Sequence, residues 1–403
     1  MKKLSLIFFL LLSVFFYGVA VGKYNIFPHQ LIKVSKTITE GFLSRVLNQS
    51  YSGILDINCI NAQNSGDKYE EFSDYRIRLV NKNVPFPPRD GAGAVFHQDK
   101  LYLIGGWRAE DKVNFPKGTS NDVWLSDDFG LNWSQIKENT YNLDFKGSNL
   151  DWQGRHVAGY VSHNGYIYIV GGDASQGFHI NDIWRSKDGV DWSLVNSNPP
   201  WAPRALHLTF SYGDYIWVIG GQTLPKSTPR LNHNEVYYRD IWKTLDGIKW
   251  EKVNVNTEIF TPRGGYGGSG FVLGDSVIII GGFAQENLVN LNRDVWTDVW
   301  RSQGDLSSWE RVGLGPRDSS GDGFMFHDTA QFDGKLWTIG GFRKSYGNSN
   351  EIWFSDDAEH WNKVNCSPLT PTHATSVWST PKGIFIAAGN GWSKEVWVIE
   401  RTE

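Results

Sequence analysis

No lysine- or arginine-rich run stands out anywhere in these 403 residues. With a net charge of −4 and a pI near 6.2, the chain offers nothing that answers nucleic acid or an anionic membrane surface. Metal signatures are missing as well. There is no H-x-x-x-H or H-E-x-x-H pair and no cysteine cluster, so neither a metal nor a cofactor is expected. Only two cysteines occur, Cys59 and Cys366. In an exported chain such a pair persists as a disulfide, although spacing alone does not establish the pairing.

One long apolar run is present, from Leu4 to Val21, behind Lys2-Lys3. A positive start and an apolar core read as an export signal, with Gly18-Val-Ala20 as a small-residue cleavage site. The run is also nearly long enough to stay as an anchor, and both readings place the remainder outside the cytoplasm, periplasmic or extracellular. Membrane contact is expected only through this segment. Leu31, Val34, Ile38, Phe42 and Val46 recur at helical spacing, which predicts an amphipathic helix in a linker over 23–72. Residues 58–70 read as a loop. The organisation expected is thus 1–22 as signal or anchor, 23–72 as linker, and 73–403 as one folded domain.

What the domain has in abundance is a repeat. Six short apolar strands run into a small-residue pair: Gly105-Gly106, Gly171-Gly172, Gly220-Gly221, Gly281-Gly282, Gly340-Gly341 and Ala388-Gly389. The intervals of 66, 49, 61, 59 and 48 residues are those of stacked supersecondary units. Each unit reads as four short antiparallel strands, a propeller blade. Third strands carry Trp124, Trp184, Trp242, Trp300, Trp353 and Trp397, each just after Asp or Glu. Fourth strands begin at Trp133, Trp192, Trp250, Trp309 and Trp361. Eleven of the 19 tryptophans therefore hold fixed structural positions. The last unit lacks a fourth strand, and Tyr75–Val80 is expected to supply it and close the ring.

The Gly doublet, the aromatic before it, the Asp-x-Trp third strand and the fourth-strand Trp resemble the kelch family over roughly residues 75–400. That resemblance implies an all-β, six-bladed β-propeller with four antiparallel strands per blade, and says little about activity. The turn Ser126-Asp-Asp128-Phe-Gly130-Leu-Asn-Trp133 also resembles the Asp box of sialidases, a folding device. Galactose-oxidase-like enzymes share this kind of propeller, but neither cysteine is placed for their Tyr–Cys cross-link.

Up-and-down strand order puts the tight first-to-second and third-to-fourth turns on one face. The long, irregular connections, including Trp107–Ser120, Gln222–Arg239 and Lys137–Gly154, all reach the other. Binding residues concentrate on loops that a rigid scaffold displays. Trp107, Trp152, Trp201, Trp296 and Trp392 lie in these connections, where large aromatics suggest stacking platforms. Arg89, Arg155, Arg204 and Arg263 precede the innermost strands, and their forks suit carboxylates or sulfates at the axis. His156 lies at an adjacent level. His207, His327, Asp328 and Asp173 face the same opening and are the candidates for acid–base chemistry.

Three functions fit this pattern. One is an exported recognition module that takes a carbohydrate or a protein on its long-loop face. Another is a sugar-processing enzyme resembling the kelch-type N-acetylneuraminate epimerase (a mutarotase). The third is an envelope scaffold. The sequence leaves open whether the protein is an enzyme.

Overall fold

A computed structural model describes residues 69–402, apart from residue 73 and segments 109–117, 143–144, 146–149, 175–177, 224–235, 266–270, 286–292 and 318–320. The expected signal or anchor (1–22), the helix in the linker, and Cys59 lie outside the described residues. Tyr69–Phe72, the end of the expected linker, does not continue as a loop. It forms a strand antiparallel to Tyr75–Asn81.

The second strand of each blade, Lys100–Ile104 in blade 1, is mostly apolar and runs into the small-residue pair. Gly105 and Gly106 take φ of 62° and 100°, and the other four Gly-Gly doublets repeat the positive φ pair. Only glycine enters this region freely, so the doublet turns the chain at the same point in each unit. Six blade sheets result, beside three two-stranded ribbons, and blades 1 to 5 are built inner to outer in chain order, with no helix among the described residues. Their innermost strands are Gly93–His97, Gly159–His163, Leu208–Tyr212, Phe271–Leu273, Asp328–Phe332 and Ser376–Thr380. These strands surround a central shaft and define blades 1 to 6.

Blade 6 closes as expected. Tyr75–Asn81 pairs antiparallel with Val396–Arg401, with Ile77 opposite Ile399 and both fully buried. Glu400 accepts from Arg76 Nε at 2.9 Å and from Arg78 Nε at 2.8 Å. The added strand makes this blade five-stranded, in the order Tyr69–Phe72, Tyr75–Asn81, Val396–Arg401, Gly383–Ala387 and Ser376–Thr380. Phe72 meets Trp337 edge-on at 6.1 Å, so the extra strand covers the seam with blade 5.

A second closure lies at the axis. Six equivalent residues, one before each innermost strand, donate backbone N–H groups around a circle. Val157 donates to Gly91, Leu206 to Val157, Gly265 to Leu206, Phe326 to Gly265, Ala374 to Phe326, and Gly91 to Ala374, at 2.9–3.2 Å. All six have positive φ, between 45° and 63°. For Val157, a β-branched residue, this is a strained conformation. The ring persists because each strained unit gains a hydrogen bond to the neighbouring blade, worth about 0.5–1.5 kcal/mol net.

The third-to-fourth turns behave as the folding device expected of them. In blade 1, Ser126 Oγ accepts from Gly130 N, and Asp128 Oδ1 accepts from Asn132 N. The fourth-strand Trp133 donates Nε1 to Gly130 O at 3.2 Å. Blade 5 lacks the glycine, and Ala358 takes its place at a φ of 69°.

Candidate functional site

The four arginines do not reach the axial opening. Arg89, Arg155, Arg204 and Arg263 are at most 1% exposed. Each guanidinium turns outward into its own blade. Nη1 donates to the carbonyl of the first glycine of the doublet, at 2.8–3.0 Å, and to an aspartate on or immediately before the third strand. The aspartates are Asp122, Asp182, Asp240 and Asp298, at 2.5–2.7 Å. The second oxygen of each accepts Nε1 of Trp124, Trp184, Trp242 or Trp300. One arginine therefore ties together the entry to the inner strand, the doublet and the third strand. Burial alone would raise the Asp122 carboxyl, but the Arg89 charge and its hydrogen bonds outweigh that and hold it at about 2. Buried and paired in this way, the forks do not face the axial opening, against the expectation that they meet carboxylates or sulfates there.

Blade 5 solves the same problem differently. Phe324 stands where the arginine would be, and Arg343 arrives from beyond the doublet with its guanidinium 3.7 Å from the Phe324 ring centre. Arg343 pairs with Glu351 at 2.6 Å, which in turn accepts Trp353 Nε1.

The five loop tryptophans separate into three environments. Trp152 and Trp201 are 0% and 2% exposed and meet the fourth-strand Trp192 and Trp250 edge-on at 5.7 and 5.5 Å. Phe86 and Phe260 repeat that contact on Trp133 and Trp309. All four stand three residues before an arginine, a repeat position that sequence reading could have found. Trp296 lies over Arg263, 4.3 Å from ring centre to guanidinium. Only Trp107 and Trp392 form a pair at the shaft mouth, 6.0 Å apart, with the His156 ring 6.3 Å from Trp107.

The catalytic candidates also separate. His207, His327 and Asp328 line a narrow part of the shaft, about 70 Å³, together with Ala92, Ala158 and Thr375. These are five equivalent repeat positions and one neighbour, brought together as their register implies. Burial holds the His207 imidazole down at about 3 and that of His327 at about 4, so both are neutral. Asp328 Oδ2 accepts the Thr375 N–H at 2.6 Å, linking blades 5 and 6.

Asp173 and His156 lie instead in a separate cup of about 210 Å³ on the long-loop face. Val157, Leu206, Phe326 and Ala374 of the hydrogen-bonded ring line both spaces and stand between them. In the cup, His156 Nδ1 is 3.6 Å from Asp173 Oδ2. His179 and Asp90, which sequence reading missed, join them. Burial lowers the His179 pKa, against the opposing pull of Asp173. Asp90 is 5% exposed, and its Oδ2 accepts from Asn390 Nδ2 at 2.7 Å. Burial raises its carboxyl above the usual range, against the lowering effect of His156 and Asn390. Asp90, His156 and Ala205 follow Arg89, Arg155 and Arg204, so the position after the arginine marks the cup floor in these three blades. On the far side, Phe326 meets the rings of His373 at 5.5 Å and Phe283 at 4.9 Å, which makes an aromatic wall.

The cup thus combines an acidic, histidine-bearing floor with aromatic sides and a tryptophan pair beside it. That arrangement can hold a small polar ring by hydrogen bonds below and stacking at the flanks. Among the described residues, no group of three or more His, Cys, Asp or Glu side chains is arranged to hold a metal ion. Neither a known protein family nor a curated protein matches this chain, and the fold is that of a six-bladed β-propeller.

Proposed function

We propose that the chain is a kelch-type propeller that recognises a carbohydrate through the cup on its long-loop face. It works outside the cytoplasm, exported or tethered by the Leu4–Val21 segment. The kelch assignment rests on the repeated doublet, the Asp-x-Trp strand and the fourth-strand Trp. The observation that carries the binding reading is the Trp107–Trp392 pair beside buried polar groups that face a sugar-sized space. Large aromatics next to a few polar groups in a concave site are how sugar rings are held.

A glycan array probed with the full chain tests this, with a Trp107→Ala/Trp392→Ala variant alongside. Glycan binding that the double variant loses supports the reading. A ligand held equally by both proteins contradicts it, and so does an array with no signal, which directs the search to a protein partner.

The His156–Asp173 pair favours a second reading, proton transfer on a bound sugar in the manner of a mutarotase. NMR of freshly dissolved sugar anomers decides it, because unchanged anomerisation in the presence of the protein rules it out.

A further inference from the structure

The arginines were the reason to expect an acidic ligand, and all of them are sequestered. What remains at the cup points the other way. Two carboxylates, Asp90 and Asp173, line it, and among the described residues no lysine or arginine does. Two buried oxygens are also left without a hydrogen-bond partner, Asp90 Oδ1 and Gln222 Oε1. Asp90 is 5% and Gln222 8% exposed, and both residues line the same space. Acceptors buried without partners are rare in folded proteins because each forfeits its hydration. Both lack a donor, and the carboxylates of Asp90 and Asp173 share the cup with three histidines, His156, His179 and His373, and with no lysine or arginine among the described residues.

We propose that the cup selects a donor-rich ring without negative charge, hydroxylated and best of all amine-bearing, and rejects carboxylated or sulfated sugars. This rests on the carbohydrate reading above and narrows it. A protonated amine places up to three N–H donors on acceptors that have none, whereas a carboxylate brings only acceptors. The carboxylate would also meet like charge at close range in a poorly solvated space. Burial raises the Asp90 carboxyl even with His156 beside it, so an ammonium group would add counter-charge where it is short.

Three rings of the same size but different charge test this: D-glucosamine, D-glucose and D-glucuronate. Each is titrated by NMR into the full chain at a pH where the amine is protonated. The expected order is glucosamine tightest and glucuronate weakest. Asp90→Asn turns the orphan acceptor into a donor and should weaken glucosamine about ten- to a hundredfold, the effect of losing a charge-assisted hydrogen bond. Gln222→Glu should widen the gap between glucosamine and glucuronate, and it keeps the test decisive if Asp90→Asn fails to fold. Glucuronate binding as tightly as glucosamine overturns the inference. If Trp107→Ala/Trp392→Ala then still abolishes that binding, the cup survives as the site and only its selectivity is wrong. Failure of all three rings to bind overturns the inference too, and the array comparison then tells whether the cup binds any sugar.

Discussion

Gly91 donates its backbone N–H to the carbonyl of Ala374 at 2.9 Å, and with that bond the six blades form a closed circle at the axis. The propeller is thus closed twice, at the rim by Tyr75–Asn81 on Val396–Arg401 and at the centre by the ring. Central closure has a functional consequence. The ring sets Val157, Leu206 and Phe326 between the shaft and the cup, so the cup is a bounded pocket.

The arginine network should be worth far more to stability than to binding. Asp122→Ala leaves the Arg89 guanidinium buried without its counter-charge, a loss of about 3–5 kcal/mol. Urea unfolding measures this, and ligand affinity of the folded variant should match the parent. A weakened ligand with unchanged unfolding would put Arg89 back in the site.

Trp152 and Trp107 make a matched pair, since both come from long connections. Trp152→Ala empties a fully buried position and should cost about 3–5 kcal/mol in unfolding without changing affinity. Trp107→Ala should do the opposite, with stability little changed and glycan binding reduced.

These two tryptophans also show how far the sequence was legible. The doublets, the strand tryptophans and the closing strand fixed the blade count and the face that carries the loops. The arginine level was right and its direction was not. Arg89, Arg155 and Arg204 stand a constant 16 residues before the glycine that they bond. Their aspartates lie 33, 27 and 36 residues away, because the second-to-third loops vary in length. Spacing therefore reveals one end of each network and hides the other. Tyr69–Phe72 was missed because polar neighbours give it no strand pattern, and only the exposed edge of blade 6 calls for it. Asp90 became visible as a cup residue only once the chain was folded.

Acid should destabilise the protein well before its carboxylates titrate. His207 and His327 stay neutral in the fold to about 3 and 4, against an ordinary value of 6.5. As pH falls below 6.5 the unfolded chain binds protons that the folded chain refuses, so stability drops by about 1.4 kcal/mol per pH unit for each histidine. The loss continues until the folded values are reached. Asp122, held at about 2 against an ordinary 3.8, extends it at lower pH. Urea midpoints measured across this range should slope less steeply in a His207→Gln variant.

Cys366 is buried. Cys59 is the other cysteine in the chain, and we expect a Cys59–Cys366 cross-link in a non-reducing peptide map. Reduction should then lower stability by about 2–5 kcal/mol. A free Cys59 thiol in the native protein would contradict the pairing.

The central claim is that the shaft mouth on the long-loop face is where a ligand binds. NMR chemical-shift mapping with the glycan identified on the array, or with D-glucosamine, tests it most directly. The account predicts that signals of the Trp107 and Trp392 indoles and the His156 ring move on titration, while the Trp378 indole and Phe210 ring beside the 330 Å³ opening on the opposite face stay fixed. Shifts confined to Trp378 and Phe210, with Trp107, Trp392 and His156 unmoved, would contradict it.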